Sequence, residues 1–331
     1  MTEPTVPSAE RPSLKARIVV LLVVAALPSL PVGADAQLDR PLSPCPTETS
    51  SKAEPDWADR LPRSRPTAVE IRDVQVESRD GALVSVREYV PRAFAGRRPS
   101  VLVMSPYHAL LGLYAKEAED LKIIERADCI TKFFNEHGYV VVLGDMRGTR
   151  NSDGCFDYGG PGDQADGYAV VQWMARQAWS NGRVGMYGVS HVGMSQYAAA
   201  VRTPPALKAI IPIAPITSFY RYLHNGGVHY ETNMGTPVAY DYGAAGPPPT
   251  NVTGANHLRN VAGSFCNGEN TLRGMSLDGD FTQYWRQRDY SLMARRIKAA
   301  VFHVHGTIDQ NVKMDHFTSM WRALEAANVP R

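Results

Sequence analysis

Apolar and polar positions fall into short runs whose type alternates along the chain. Ile71, Val74 and Val76 precede Arg79-Asp80-Gly81, and Leu83, Val84, Val86, Tyr89 and Val90 follow it. That pattern predicts a β-hairpin closed by a glycine-containing turn. Val101 to Met104 is a short apolar run ending at Ser105-Pro106-Tyr107. A helix is expected over 127–137, with Gly138 placed to end it. Tyr139 to Leu143 shows no polar alternation, as expected of a strand covered on both faces. Helices over 166–178 and 191–201 flank a strand at 184–187, and 210–213 and 299–302 supply further strands before a last helix over 315–327. Tyr168, Val171 and Met174 are the apolar positions of the first of these helices. Buried strands alternating with helices predict an α/β fold, a mostly parallel sheet flanked by helices.

Two regions break the alternation. Residues 219–296 hold Gly226-Gly227, Gly243 to Gly246, Pro247 to Pro249 and scattered aromatics such as Tyr230, Tyr240, Tyr242, Tyr284 and Trp285. We read them as a cap inserted over the C-terminal edge of the sheet, because so long a segment seldom lacks structure of its own. The core is then 67–218 and 297–331. At the N-terminus, Arg11, Lys15 and Arg17 precede an apolar run from Ile18 to Leu27, and Ala34-Asp35-Ala36 offers a cleavage site. The run is about half the roughly 20 residues of a membrane span, so 1–36 is expected to be a signal peptide and the mature protein to be exported without stable membrane insertion. An anchor that stays attached is the alternative. Residues 37–66, rich in Pro, Ser, Thr and charge, are expected to be an N-terminal extension.

Composition narrows the class. The chain has 331 residues, 44% hydrophobic and 21% charged, with 35 Lys+Arg against 33 Asp+Glu. This excludes a disordered chain or a disulfide scaffold. A net charge of +2 gives no electrostatic footprint for nucleic acid. Cys45, Cys129, Cys155 and Cys266 allow three complete pairings. Cys155 with Cys266 is the pairing we favour, with buried free thiols as the alternative. No C-x-x-C pair occurs, and Gly159-Gly160-Pro161-Gly162 lacks the Lys-Ser/Thr of a phosphate loop. No metal or other cofactor is expected.

The sharpest chemical feature is Gly188-Val189-Ser190-His191-Val192-Gly193, between an expected strand and an expected helix. A tight strand-to-helix turn lifts a serine Oγ above the sheet and aims the helix N-terminus and the next backbone N–H at a developing oxyanion. Glycines stand at −2 and +3 from Ser190, whereas the usual elbow has its second glycine at +2. A helix-capping serine is the bland alternative.

Three segments carry a resemblance. They are Ser105-Pro106-Tyr107, Asp145-Met146-Arg147-Gly148 running to Ser152-Asp153-Gly154, and Trp179-Ser180-Asn181-Gly182-Arg183-Val184-Gly185-Met186-Tyr187-Gly188-Val189-Ser190. Over about residues 70–325 the chain resembles the X-Pro dipeptidyl-peptidase and cocaine-esterase family of α/β-hydrolases. The resemblance implies an α/β-hydrolase fold and a serine hydrolase acting on X-Pro peptides, aryl or acyl esters, or α-amino-acid esters and amides. Its substrate would be a small ester or a short peptide. It implies Ser190 as nucleophile, and Tyr107 as the phenol that forms the oxyanion hole with the His191 backbone N–H. The family usually has Tyr at the position of His191. It implies Asp309, reached through Gly306-Thr307-Ile308 after a strand, as the acid that orients the histidine. Asp145 and Arg147 are expected as a buried ion pair or turn brace, and Asp157, Asp163 and Asp166 as solvated loop and helix-start residues. Glu231 or Asp241 could meet the free N-terminus of a peptide substrate.

The triad base has no clear candidate. The fold's order of Ser, acid, His puts it beyond Asp309. His316, the only later histidine, falls in an expected helix, while His303 and His305 suit strand-end positions. The base, like the family's C-terminal β-sandwich, is expected beyond Arg331. The competing expectation is a non-catalytic α/β-hydrolase-fold protein that binds an acyl or peptide ligand.

Overall fold

The computed structural model describes residues 69–92, 94–107, 129–233, 236 and 279–331. The expected signal peptide and extension, Cys45, Cys266, Tyr240, Tyr242 and Asp241 lie outside the described residues. The expected hairpin forms as β1 (Val69–Glu77) and β2 (Leu83–Pro91), in register from Val69–Pro91 to Glu77–Leu83. β3 (Arg98–Ser105), β4 (Val140–Asp145), β5 (Ser180–Val189), β6 (Leu207–Ile213) and β9 (Ala300–Val301) are joined through helices. The seven strands lie in the order β1-β2-β4-β3-β5-β6-β9, with β4 to β9 parallel and β2 antiparallel to β4. β7 (His224–Asn225) and β8 (Val228–His229) form a separate small hairpin.

The helices follow the apolar pattern with shifts at their ends. α1 (Cys129–Glu136) stops at Gly138, whose φ of 81° is the left-handed C-cap. α2 (Pro161–Arg176) begins five residues earlier than expected, because Pro161 takes the first helical position and needs no backbone donor there. Val170, Val171 and Met174 face the core, whereas Tyr168 faces outward. α3 (His191–Ala200) is buried at every position. α6 (Met314–Ala326) buries His316, Met320 and Leu324.

β5 starts at Ser180 rather than 184, and this explains the long motif that precedes Ser190. Trp179 Nε1 donates to Glu88 Oε2 at 2.7 Å, Ser180 Oγ accepts from the Gly182 N–H and Asn181 Oδ1 from the Arg183 N–H. Burial raises the Glu88 carboxyl above its ordinary range, with the indole opposing. The motif is thus a turn that launches the central strand.

The three aspartates expected in solvent are a correction. Asp163 and Asp166 are buried, and Asp157 pairs with Arg288. Arg147 does not pair with Asp145. Its Nε and Nη2 donate to the two Asp166 oxygens at 2.8 and 2.6 Å, and its other donors reach Asp80 on the β1–β2 turn. Asp145 lies 3.8 Å from Arg150 instead. Burial holds the Asp163 and Asp166 carboxyls above the usual range. Cys155 is disulfide-bonded, which removes the free-thiol alternative there.

The two described flanks of the 219–296 segment meet at its root. α4 (Phe219–Leu223) leaves the core where α5 (Gln283–Arg286) and a 3₁₀ turn (Tyr290–Arg296) return. Phe219 N donates to Arg288 O and Tyr290 N to Thr217 O, and Phe219, Tyr222, Trp285 and Tyr290 join the main hydrophobic core.

Candidate active site

Ser190 sits between β5 and α3 with φ 60° and ψ −122°, a conformation costing a non-glycine residue about 1–3 kcal/mol. Its surroundings enforce that backbone. The Ser190 N–H donates to Ile213 O at 2.8 Å, and the Met194 N–H donates to Ser190 O at 3.0 Å. Gly188 is required by close approach, since a Cβ there would overlap Val192 Cγ1 and Cβ. At Gly193 a Cβ would lie 3.0 Å from Pro215 Cβ and 3.1 Å from Ile213 O, so the +3 glycine lets the helix settle on the β6 end. Buried Gln196 was missed by sequence reading. Its amide lies within hydrogen-bonding distance of Gly188 O, Val192 O and Ile211 O, bracing the turn from inside the helix.

The neighbours of Ser190 come from adjacent strands. Tyr107 follows β3, the strand beside β5, and its N–H donates to Ser105 Oγ at 3.0 Å. His191 contributes the first backbone N–H of α3, while its ring turns away into an aromatic cluster, 5.2 Å from Phe156, 6.4 Å from Tyr107 and 6.4 Å from Phe219. Burial lowers its pKa to about 3, so the ring is neutral at physiological pH. Asp309 follows the strand beyond β6, where Ala214 N donates to Val304 O and keeps the two chain ends level. Asp309 Oδ1 accepts the Asn311 and Val312 N–H groups, each at 2.9 Å. Ser190, Tyr107 and Asp309 thus all leave the same, C-terminal edge of the parallel sheet, where open α/β sheets bind ligands.

Each of the later histidines makes at least one hydrogen bond. His316 Nδ1 accepts the Thr217 N–H at 3.1 Å, and Thr217 Oγ1 donates to His316 O at 3.0 Å. His303 Nδ1 is hydrogen-bonded to Tyr197 Oη at 2.9 Å, and His305 Nε2 donates to Val312 O at 2.8 Å. Burial, chiefly, takes both His303 and His316 down to about 3. Glu231 lies exposed in a 3₁₀ turn over 231–233. Sequence reading also missed Tyr222, whose hydroxyl donates to Asn311 Oδ1 at 2.8 Å beside Asp309. No local spacing marks it, since the two residues are 89 apart in the chain.

Residues 80–329 match the family model for X-Pro dipeptidyl-peptidase (S15 family). The chain belongs to that family. A Bacillus anthracis protein provisionally assigned as an Xaa-Pro dipeptidyl-peptidase is 32% identical over 289 residues, taking in 78% of this chain and 47% of the relative. The cocaine esterase of a Rhodococcus species is 35% identical over 166 residues, 49% of this chain and 27% of that enzyme. Among solved structures, an α-amino acid ester hydrolase superposes with a TM-score of 0.63 at 19% identity, over 84% of this chain and 49% of its own. The S15 chain therefore has the α/β-hydrolase fold, and it spans about half the length of the curated relatives it matches or less.

Proposed function

We propose that this S15-family chain is an exported serine hydrolase that cleaves an ester or amide bond, X-Pro peptides included, through an acyl-enzyme on Ser190. The single observation that carries the reading is the Ser190 elbow. A positive φ on a non-glycine residue, held between β5 and the head of a fully buried helix, is the backbone that presents Oγ above the sheet. In the first step Oγ bonds to the substrate carbonyl carbon and its proton passes to a base. The resulting oxyanion is met by the Tyr107 phenol and the His191 N–H. Collapse expels the alcohol or amine, which takes the proton from the base, and water repeats the sequence to release the acid. Asp309 has the role of orienting the base, its Oδ1 fixed by two backbone N–H groups.

The base is not assigned to any described residue: His191, His303 and His316 are buried in other contacts, and the His305 ring is held by Val312 O. A second reading is a family member that binds an acyl or peptide ligand without turning it over. Fluorophosphonate labelling of the purified chain, read by intact mass, separates the two. Hydrolysis predicts one adduct, lost in Ser190→Ala, with Tyr107→Phe and Asp309→Asn each slowed about 10²-fold. A folded chain that takes no label at Ser190 means that no base assembles within these residues, and a longer chain that still takes none overturns the catalytic reading in favour of the binding one.

A further inference from the structure

The turn that carries Asp309 has little around it. Gly306, Thr307 and Ile308 are exposed, and the strand before it stands at the edge of the sheet. An acid that orients a base has to be held within a few tenths of an ångström, which calls for supporting contacts outside its own loop. The two backbone bonds to Asp309 Oδ1 fix the side chain against its turn, and His305 ties Val312 back to the same segment. Val312 is buried in the main core and anchors the far end of the turn, but none of these contacts ties the Asn311 side chain to another element.

Tyr222 does. It lies on α4, across the site, and its buried hydroxyl donates to Asn311 Oδ1 while sharing a second side-chain hydrogen bond with Thr236. The hydroxyl is within electrostatic reach of both the Tyr107 phenol and the Asp309 carboxylate. Burial is the main cause that keeps it above the ordinary phenol range, so it stays a donor. The base of α4 is itself pinned, Tyr222 N to Ser218 O and Thr217 to His316.

We infer that Tyr222 is a positioning residue of the hydrolytic site: through Asn311 it holds the Asp309 turn in place and couples it to α4. The inference rests on the Ser190–Asp309 reading. Tyr222→Phe keeps the ring and removes the donor, and Asn311→Leu removes the same bond from the other side. Each is expected to slow fluorophosphonate labelling about fivefold, the worth of one neutral hydrogen bond, with unchanged thermal unfolding. The effect of Tyr222→Phe should vanish in an Asp309→Asn background, and the pH midpoint of labelling should fall, because a less well-held carboxylate stabilises the protonated base less. Amide exchange at Asn311 and Val312 should quicken about fivefold while Ile210 and Val301 stay as they are. A wild-type rate in Tyr222→Phe, or effects that multiply independently of Asp309, overturn the inference and leave the Ser190 reading standing. A folded wild-type chain that does not label removes the kinetic readout, and exchange at Asn311 and Val312 then decides the Tyr222 contact alone: unchanged exchange overturns it.

Discussion

The nucleophile side and the acid side of the site are built in opposite ways. Ser190 stands between a ten-residue strand paired on both edges and a ten-residue helix with no exposed position. Asp309 follows a two-residue strand paired on one side, next to Phe302 at 68% and Ile308 at 89% exposure. The difference follows from what each residue asks of its backbone. Ser190 needs a strained φ, which persists only where packing over-determines it. Asp309 needs an ordinary turn and a fixed rotamer, which a few hydrogen bonds supply. Substitutions on the two sides should therefore differ in size and in kind.

The largest effect is expected beside the elbow, in the network that ties its supporting loop to α2. Arg147→Ala would leave Asp166 buried without its bidentate partner and should cost about 3–5 kcal/mol at pH 7. Asp166 already has a folded-state pKa raised by burial, and losing the cation raises it further. A raised acid pKa favours the folded state where that acid is protonated, so the cost should shrink as pH falls toward 5. Urea unfolding at the two pH values checks this, and an equal cost at both would mean that Asp166 is not the group left exposed to the loss.

A pair of glycines tests the comparison most directly. Gly188→Ala drives a methyl into Val192, a β-branched side chain with little freedom to yield, and should cost about 3 kcal/mol and abolish labelling. Gly306→Ala meets nothing within 4 Å on the acid side and should cost under about 1 kcal/mol. Equal costs would remove the contrast between the two sides.

Much of this was legible in the sequence, and what was not has a common cause. An apolar run without alternation placed β4 because a strand covered on both faces must read that way. The glycine spacing around Ser190 identified the elbow because the close approach of strand and helix is local. The ion network was misread, since Gly159-Gly160-Pro161-Gly162 and its aspartates look like a solvated loop. Their partners Arg147 and Arg288 arrive from distant parts of the chain. Tyr222, Asn311 and Gln196 escaped for the same reason, as single polar residues whose partners only the fold supplies. The position of His191 was readable as a backbone donor, but its ring's place among Phe156 and Phe219 was not.

That ring gives the elbow side a pH signature. His191 is held near 3 in the folded state and titrates near 6.5 when unfolded, so between those values the unfolded chain binds the extra proton. Its contribution is lost as pH falls below 6.5, at about 1.4 kcal/mol per pH unit inside the window. His191→Phe, an aromatic in an aromatic cluster, should remove one such slope between pH 6 and 4. His303 and His316 act with the same sign, and Asp163 and Asp166 with the opposite one. The informative quantity is thus the difference between the two stability curves, and parallel curves would show that His191 titrates normally.

The smallest effect belongs to the acid side. Ile308 has almost no contact to lose, so Ile308→Ser should change unfolding free energy by no more than about 0.5 kcal/mol. Its backbone turn is set by Gly306 and Asp309, where the Asp309 N–H donates to Gly306 O, and the substitution leaves that bond in place. The same change removes one of two exposed apolar side chains, with Phe302, on the segment that includes an outer strand among the described residues, an arrangement that favours association. Light scattering should therefore show less self-association in Ile308→Ser at unchanged stability. A stability loss above about 1 kcal/mol would mean that Ile308 is covered in the folded chain in solution, and the acid side would then be as closely packed as the elbow.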